Sequence, residues 1–287
     1  MSPILTGIIG IAVLVLVFLT GMPVAFTMAL IGFLGVSYVV SLDAGLYIIG
    51  TALWSTFASY TLLVIPLFVF MGEIAFHSGV SRRLYDTAYR WLGYMPGGVA
   101  MATVGGCAGF AAICGSSSAT AATMGTVSLP EMKKYNYDPA LATGTVAAGG
   151  TLGVLIPPSV VLIIYGIMTE QSIGKLFVAG ILPGVLLSSL FLIALLFICR
   201  WNPRLGPAGP RTSFREKLAS LPGTIEMIVL FGLVMGGLIL GWFTPTEAGG
   251  IGAAGALLVS QLRRELNWQR LRTAIMGTME TSCMILL

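Results

Sequence analysis

Apolar residues fall into long runs along this chain, without the regular polar positions that water-facing helices and strands require. A helix needs about 20 mostly apolar residues to cross the hydrocarbon layer of a membrane. The runs therefore predict membrane-spanning helices over much of the sequence. The clearest of them are Ile4–Leu19, Pro23–Val40, Thr61–Ala75, Leu176–Ile198 and Ile225–Trp242.

Two shorter stretches between these runs have a different pattern. Gly45–Thr56 resembles a short interfacial helix, and Ser81–Leu92 is basic and amphipathic. Tyr85, Tyr89 and Trp91 in the second stretch are residues that favour the boundary between lipid and water. We expect both stretches to lie along the membrane surface.

Composition supports this interpretation. Of 287 residues, 56% are hydrophobic and only 9% are charged, with a mean hydropathy of +0.95, whereas soluble domains carry about 25% charged residues. The sequence predicts an all-α polytopic membrane protein whose surrounding partner is the lipid bilayer. The apolar run begins almost at Met1 without a basic region before it, so we expect the first helix to be retained.

The basic residues lie in four clusters between the apolar runs, which indicates positively charged cytoplasmic loops and not a nucleic-acid surface. These clusters are Arg82–Arg90, Lys133–Lys134, Arg200–Lys217 and Arg263–Arg272. The four cysteines lie in apolar segments without the spacing of metal ligands, so we interpret them as buried small side chains.

Gly97–Leu129 is flanked by basic residues at both ends. A single crossing would place those flanks in opposite compartments, whereas a re-entrant hairpin keeps them on one side. With a hairpin here, Asp138–Thr169 crossing outward and Thr246–Leu262 returning, every basic cluster faces the cytoplasm and the N-terminus faces the periplasm. This is the predicted topology.

An internal repeat is suggested at a constant offset of 222 residues, where Pro23 corresponds to Pro245 and Thr56 to Thr278. At the same offset, Thr51-Ala52-Leu53 corresponds to Thr273-Ala274-Ile275. Five crossings in the first unit make the second start on the opposite side, which predicts inverted repeats of the kind found in secondary transporters. The offset places a second hairpin tip beyond Leu287, so we expect a fold whose C-terminal part is incomplete.

The predicted organisation has four parts. They are scaffold spans and interfacial arm helices over 1–96, a transport part over 97–201, a cytoplasmic linker over 202–222, and the start of a second repeat over 223–287. Within the transport part we expect a re-entrant hairpin over 97–129, a broken helix over 139–169 and a span over 176–198.

Two polar interruptions inside apolar segments are the strongest candidates for chemistry. One is Gly115–Thr120, and the other runs from Gly149 to Ser159 and contains three glycines and two prolines. Glycine and proline interrupt helices, and unpaired backbone at membrane depth is tolerated only where it lines a cavity or is buried in protein. Carbonyl and hydroxyl oxygens can replace water around Na⁺, and helix N-termini can face an anion. Close packing of small residues is the alternative interpretation.

The interruptions predict sodium or substrate contacts at ten positions: Gly115, Ser116, Ser117, Ser118, Thr120, Gly149, Gly150, Thr151, Pro157 and Pro158. Glu73 is a weaker candidate, either an intramembrane functional acid or an interfacial residue. His77, Glu226, Glu247 and Glu280 are better explained by interfacial or scaffold roles.

Gly115-Ser116-Ser117-Ser118-Ala119-Thr120-Ala121-Ala122-Thr123-Met124-Gly125 and the segment Gly149–Ser159 resemble signature segments of the large membrane subunit, DctM, of tripartite ATP-independent periplasmic (TRAP) transporters. Thr244-Pro245-Thr246-Glu247-Ala248 resembles a further segment of that family. The resemblance extends over essentially the whole chain.

The resemblance implies an elevator-type symporter of the bacterial inner membrane, driven by a Na⁺ gradient. It implies a small membrane subunit and a periplasmic binding protein as partners, with C4-dicarboxylates, sialic acid or other organic acids as substrates. Na⁺ would bind at Ser116, Ser117, Gly149 and Gly150. No other cofactor is implied, and no enzymatic activity.

Three other functions remain open from the residues alone. One is a related sodium–dicarboxylate carrier that needs no binding protein. Another is a membrane-embedded serine hydrolase, with a nucleophile among Ser116–Ser118 and His77 as the base. A channel or docking scaffold is the third.

Overall fold

The structure is a computed structural model that describes residues 3–210 and 212–286. In these residues the chain forms fifteen α-helices and one 3₁₀ turn, Thr61–Leu63, and no strand. The first seven helices are α1 (Pro3–Phe18), α2 (Val24–Val39), α3 (Leu42–Phe57), α4 (Val64–His77), α5 (Val80–Leu92), α6 (Gly98–Cys114) and α7 (Ser117–Lys134). The others are α8 (Pro139–Gly150), α9 (Leu152–Leu155), α10 (Val160–Met168), α11 (Ile173–Trp201), α12 (Phe214–Ser220), α13 (Pro222–Ile239), α14 (Pro245–Leu262) and α15 (Trp268–Leu286).

The helices confirm the all-α membrane class. By length and composition, Pro139–Met168, Ile173–Trp201 and Pro222–Ile239 are each able to cross a membrane, and Leu42–Phe57 and Thr61–His77 qualify only when taken together. Helices α1, α2 and α6 are apolar but shorter. Among the described helices, α14 does not reach the same hydropathy because glycines and polar ends dilute its apolar residues. The crossing predicted over Thr246–Leu262 stays a prediction.

The chain divides into two compact units, one formed by the residues up to Leu62 with those from Cys283 onward, and the other by Leu63–Ser282. In the first unit α1 packs on α2 and α2 on α3. Its helices expose large apolar side chains such as Ile4, Leu16 and Trp54. Such exposure suits a hydrocarbon environment and would be costly in water.

The second unit is built around α6. This helix contacts α4, α5, α7, α8 and α11, and nearly all of its residues are buried. Ala100, Ala102, Cys107 and Ala111 are fully inaccessible, and their small side chains allow neighbouring helices to approach closely. Helix α6 is therefore the centre of this unit, and α7 packs on it as the second arm of the hairpin.

The two ends of the hairpin return to the same place. The Val99 N–H near the start of α6 donates to Tyr137 Oη, 3.1 Å away, just beyond the end of α7. Tyr89 on α5 and Tyr135 after α7 are joined through their hydroxyls at 2.6 Å. The basic flanks of the hairpin therefore lie at one end of the unit, as the charge argument predicts. The re-entrant course through a bilayer remains a prediction.

The loop after α11 ties this end together. The Gly97 N–H donates to the carbonyl oxygen of Gly206 (2.9 Å), and the Asp138 N–H donates to that of Leu205 (3.0 Å). Tyr137 Oη donates to the carbonyl oxygen of Pro207, 2.9 Å away. The third basic cluster therefore lies at the same end of the unit as the first two.

A network of ion pairs brings the fourth basic cluster to the same end. Arg83 on α5 binds the carboxylates of Glu226 (2.9 Å) and Glu265 (2.6 Å), and Arg263 also pairs with Glu226. The Arg83 and Glu226 side chains are largely buried, with 20% and 13% exposed. Residues of all four basic clusters consequently share one end of the second unit.

One expectation for α5 is wrong. The Tyr85 side chain is only 2% exposed and packs inside the unit. It therefore does not lie at the membrane surface. Tyr89 is partly buried and stacks beside Tyr85, with ring centroids 6.3 Å apart. Of the three aromatic residues, Trp91 is the most exposed.

The helix boundaries follow the repeat offset of 222 residues. Helices α13, α14 and α15 begin and end within a few residues of the positions that the offset assigns to α1, α2 and α3, except that α15 continues further. This agreement supports a repeat at the level of elements, whereas inversion of the two copies remains a prediction.

We expect Tyr137→Phe to destabilise the fold, because it removes a hydroxyl that joins the start of α6 to the loop after α11. Burial raises the pKa of Tyr137 to about 12, so this hydroxyl stays protonated and can donate at neutral pH. Leaving the buried Val99 N–H unpaired costs about 1–3 kcal/mol. Thermal unfolding in detergent measures the effect. Tyr47→Phe, at an exposed side chain, is the control, and equal stability of the two variants would contradict the bridge.

We also expect cysteines placed at Arg82 and Lys134 to react with a membrane-impermeant maleimide from the same side of the membrane. Their segments meet at one end of the unit, and both side chains are exposed. A cysteine at Lys175, close to the start of α11, should react only from the other side. Labelling of Arg82 and Lys134 positions from opposite sides would rule out the hairpin topology.

Candidate functional site

The hairpin tip is a tight turn between two helices. Helix α6 ends at Cys114, Gly115 adopts a left-handed conformation with φ +60°, and Ser116 caps the N-terminus of α7 by accepting from the Ala119 N–H. An L-residue with a side chain is strained at such a φ, which explains the glycine. Only Gly115 and Ser116 therefore separate the end of α6 from the start of α7.

The hydroxyls of the tip form a local network. Thr120 Oγ1 donates to the carbonyl oxygen of Ser116 at 2.7 Å, and Cys114 Sγ lies 3.1 Å from Thr120 Oγ1. Ser116 Oγ and Ser118 Oγ are 3.2 Å apart. Thr120 is fully buried, whereas Ser117 is partly accessible and Ser118 is exposed. Thr120 therefore supports the tip from within, and the serines at positions 117 and 118 can reach a ligand.

The broken helix differs in detail from the prediction. Its main interruption lies at Ile156–Ser159, which separates α9 from α10 and includes Pro157 and Pro158. Gly149 and Gly150 instead end α8, and only Thr151 separates them from α9. The prolines break the helix because they cannot donate a backbone hydrogen bond, whereas the glycines only loosen it.

The tip and the break interlock through their backbones. The Val160 N–H at the start of α10 donates to the carbonyl oxygen of Gly115, 3.2 Å away. A Cβ atom at Gly153 would lie 2.5 Å from the carbonyl oxygen of Ser116, and one at Gly115 would collide with the carbonyl oxygen of Pro158. Only glycine fits at these contacts.

The broken helix makes a second contact with the hairpin at Gly150, about one helical turn before Gly153. A Cβ atom at Gly150 would lie 2.7 Å from Ala121 Cβ and 3.2 Å from the carbonyl oxygen of Ser117. Gly115, Ser116, Ser117, Gly150 and Pro158 are thus the predicted residues that the structure brings together.

Three other predicted residues face elsewhere. A Cβ atom at Gly149 would lie 2.7 Å from Cys107 Sγ, so this glycine packs against α6. Thr151 is exposed, and its hydroxyl donates to the carbonyl oxygen of Ala148 at 2.6 Å. Pro157 is buried and lies beside Gly180 of α11. A ligand role for these three stays a prediction.

Four helix ends converge where the tip meets the break. The N-termini of α7 and α10 carry partial positive charge, although several of their first amides are already paired within the site, and the C-termini of α6 and α9 carry partial negative charge. A site of this kind can present N–H donors to an anion and carbonyl oxygens to a cation over a short distance.

Other residues of the site were not among the predicted contacts. Gly72 on α4 packs directly against the end of α6 at the tip, since a Cβ atom there would lie 2.7 Å from Cys114 Cα. Ser159 is fully buried and caps α10 by accepting from the Leu162 N–H at 3.5 Å. A lone glycine in an apolar run was the only sequence signal for Gly72, whereas Ser159 and Gly153 lay inside a motif already singled out.

The weaker acidic candidates have local partners. Glu73 Oε2 lies 3.6 Å from His77 Nε2 one turn later on α4, and the same carboxylate faces Gly277 on α15. Glu247 completes a capping box with Thr244 at the start of α14. Within residues 3–210 and 212–286 there is no group of three or more His, Cys, Asp or Glu side chains that could hold a metal ion.

Comparison with known proteins gives matches over nearly the whole chain. Residues 11–287 match the family described as the tripartite ATP-independent periplasmic transporter, DctM component. The chain is 41% identical over 208 residues to the C4-dicarboxylate TRAP transporter large permease protein DctM of Pseudomonas aeruginosa, covering 72% of this chain and 48% of that protein.

Two further relatives have similar descriptions. The C4-dicarboxylate TRAP transporter large permease protein DctM of Rhodobacter capsulatus is 30% identical over 309 residues, covering 98% of this chain and 67% of the relative. The sialic acid TRAP transporter large permease protein SiaM of Vibrio cholerae is 30% identical over 240 residues, covering 83% and 55%. The chain spans about half to two thirds of the length of these curated relatives. It belongs to the DctM family of TRAP transporter components.

Proposed function

We propose that this chain forms part of the large membrane subunit of a sodium-driven TRAP transporter that imports organic acids. The observation that carries the proposal is the interlock of the Gly115–Ser117 tip with Gly150, Gly153 and Pro158 of the broken helix. It gathers helix ends of both polarities inside an apolar protein, which is the arrangement expected of a midplane transport site.

The substrate is an organic anion in this proposal. The N-termini of α7 and α10 supply positive dipole ends, and the exposed Ser118 with the partly exposed Ser117 adds hydroxyls. The names of the relatives include C4-dicarboxylate and sialic acid, which are both carboxylates. We infer a C4-dicarboxylate or a sialic-acid-like acid as the substrate class.

Sodium is the coupling ion in this proposal and binds at Ser116, Ser117, Gly149 and Gly150. Hydroxyl and carbonyl oxygens suit a hard cation. The carbonyl oxygen of Ser117 lies against Gly150, so these two of the four residues are in contact where the tip packs on the broken helix. The Ser116 carbonyl accepts from both the Thr120 N–H and Thr120 Oγ1. Ser117 and Gly150 therefore support the proposal most directly.

Transport proceeds by an elevator movement in this proposal. The hairpin and the broken helix contact each other through rigid backbone, so they move as one body with the ion and the substrate. The small membrane subunit and a periplasmic binding protein are the proposed partners. The protein would lie in the bacterial inner membrane, with the basic end in the cytoplasm and the N-terminus in the periplasm.

We expect Ser117→Ala and Gly150→Leu, in the full-length subunit with its partners, each to lower sodium-dependent uptake about tenfold or more, the factor corresponding to one lost hydrogen bond or ligand. Alanine removes an accessible hydroxyl at the tip. Leucine at position 150 cannot fit against Ala121 and the Ser117 carbonyl, so it displaces the tip.

Matched controls separate a site effect from a general one. Ser189→Ala removes a partly exposed hydroxyl on α11, and Gly232→Leu adds a side chain where a Cβ atom meets nothing within 4 Å. Both should leave uptake within about twofold of the unaltered protein. Unchanged uptake in both Ser117→Ala and Gly150→Leu, at equal protein levels, would refute the assignment of the site.

Omission of the periplasmic protein tests the closest alternative, a sodium–dicarboxylate carrier without a binding protein. We expect proteoliposomes to accumulate a labelled organic acid only when sodium and the periplasmic protein are both present on the outside. Saturable uptake that follows sodium without added protein would favour the alternative, and uptake that does not saturate would favour a channel.

A membrane-embedded hydrolase has less support from the geometry. Gly72 contacts the tip at Cys114, and His77 follows five residues later, about 7.5 Å further along the axis of α4. His77 pairs there with Glu73 and lies beside the ring of Phe76. The proposed function is transport without an enzymatic step.

A further inference from the structure

A cluster of aromatic and basic side chains lies where α12 meets the end of α5. Lys217 Nζ lies 4.3 Å from the ring centroid of Tyr94 and 5.9 Å from that of Trp91. Thr87 Oγ1 donates to the carbonyl oxygen of Ser220 at 3.0 Å and fixes α12 on α5. The ammonium group is thus held against two rings by a cation–π arrangement.

Apolar side chains form an exposed ridge beside this cluster. Phe214, Leu218 and Leu221 follow one another at helical spacing and are 69%, 48% and 37% exposed. Trp91 and Tyr94 are exposed to similar extents, 38% and 39%. We call these five residues, together with Lys217, the α12 corner. Adjacent exposed apolar side chains of this kind mark a surface that contacts a partner or a membrane.

The position of the α12 corner indicates what covers it. Helix α13, Pro222–Ile239, begins directly after Leu221 and is long and apolar enough to cross a membrane. The corner also lies at the end where the four basic clusters gather. It therefore occupies the level at which the chain passes from the charged end into the apolar layer, where aromatic side chains are favoured.

We propose that the α12 corner is a binding site for anionic phospholipid at the membrane surface. Phe214, Leu218 and Leu221 insert among the acyl chains just below the headgroups. Lys217 pairs with the lipid phosphate, and the indole N–H of Trp91 and the hydroxyl of Tyr94 donate hydrogen bonds at the same level.

Charge favours lipid over a protein partner at this surface. Arg215 and Lys217 make α12 positive, and the Glu216 carboxylate is engaged by the Ser213 N–H in the capping box. A positive, aromatic-flanked ridge complements the negatively charged headgroups of the cytoplasmic leaflet. This inference rests on membrane insertion of the chain and is independent of the transported substrate and of sodium.

Photo-crosslinking tests the occupant of the corner. With benzoylphenylalanine in place of Phe214 in the full-length subunit, expressed with its partners and irradiated in cells, we expect phospholipid adducts by mass spectrometry. Phosphatidylglycerol or cardiolipin should be enriched among them relative to the whole membrane. Adducts with the small membrane subunit, another protein or this chain itself would overturn the proposal, as would lipid adducts without anionic enrichment.

Charge variants test the role of Lys217 within the same experiment. Lys217→Gln should lower the anionic enrichment about fivefold, the factor for about 1 kcal/mol per basic residue at the surface. Lys217→Arg should retain it. Lys175→Gln, the same change near the start of α11 and about 39 Å along that helix from Trp201 at its other end, should leave it unaltered. Equal enrichment in Lys217→Gln and the unaltered protein would contradict phosphate binding by this lysine.

Discussion

A polypeptide backbone in an apolar layer has no water to satisfy its N–H and C=O groups, so any interruption of a helix must find partners inside the protein. Two interruptions in this chain become partners of each other. The Gly115 carbonyl accepts from the Val160 N–H, and the backbone of Ser116 packs on Gly153. The absence of side chains at Gly115, Gly150 and Gly153 makes this approach sterically feasible. The site, its helix ends and the position of the serines all depend on it.

The opposite end of the hairpin is held by different chemistry. At the tip, close packing of small residues excludes larger side chains, whereas at the base tyrosine hydroxyls and loop carbonyls join α5, α6, α7 and the loop after α11. Tyr137 bridges Val99 and Pro207, and Arg83 links α5 to the carboxylates of Glu226 and Glu265. Long polar side chains suit this end because their heads can reach the aqueous boundary. The hairpin is thus fixed by backbone contact at its tip and by polar bridges at its base.

The same division of chemistry accounts for the surface. Where apolar helices leave the charged end, aromatic rings and lysine gather, as in the α12 corner. Along α6, where several helices of the second unit meet, alanine, glycine and cysteine predominate, which lets neighbouring backbones approach closely. Charge and residue size, more than overall hydrophobicity, therefore distinguish the charged boundary from the interior.

The sequence by itself determined the helical membrane class, the hairpin, the broken helix and the family, because apolar run length, charge position and Gly/Pro interruptions act locally. It also indicated that the basic clusters share one end, since charge is constrained by topology. Only the tertiary structure decided which motif residues meet. Gly149 and Gly150 are neighbours in sequence, yet Gly149 faces Cys107 and Gly150 faces the tip, because successive helical residues point about 100° apart. Tyr85 is buried and Trp91 exposed for the same reason: an amphipathic pattern shows that two faces exist, and packing against α6 decides which of them is covered.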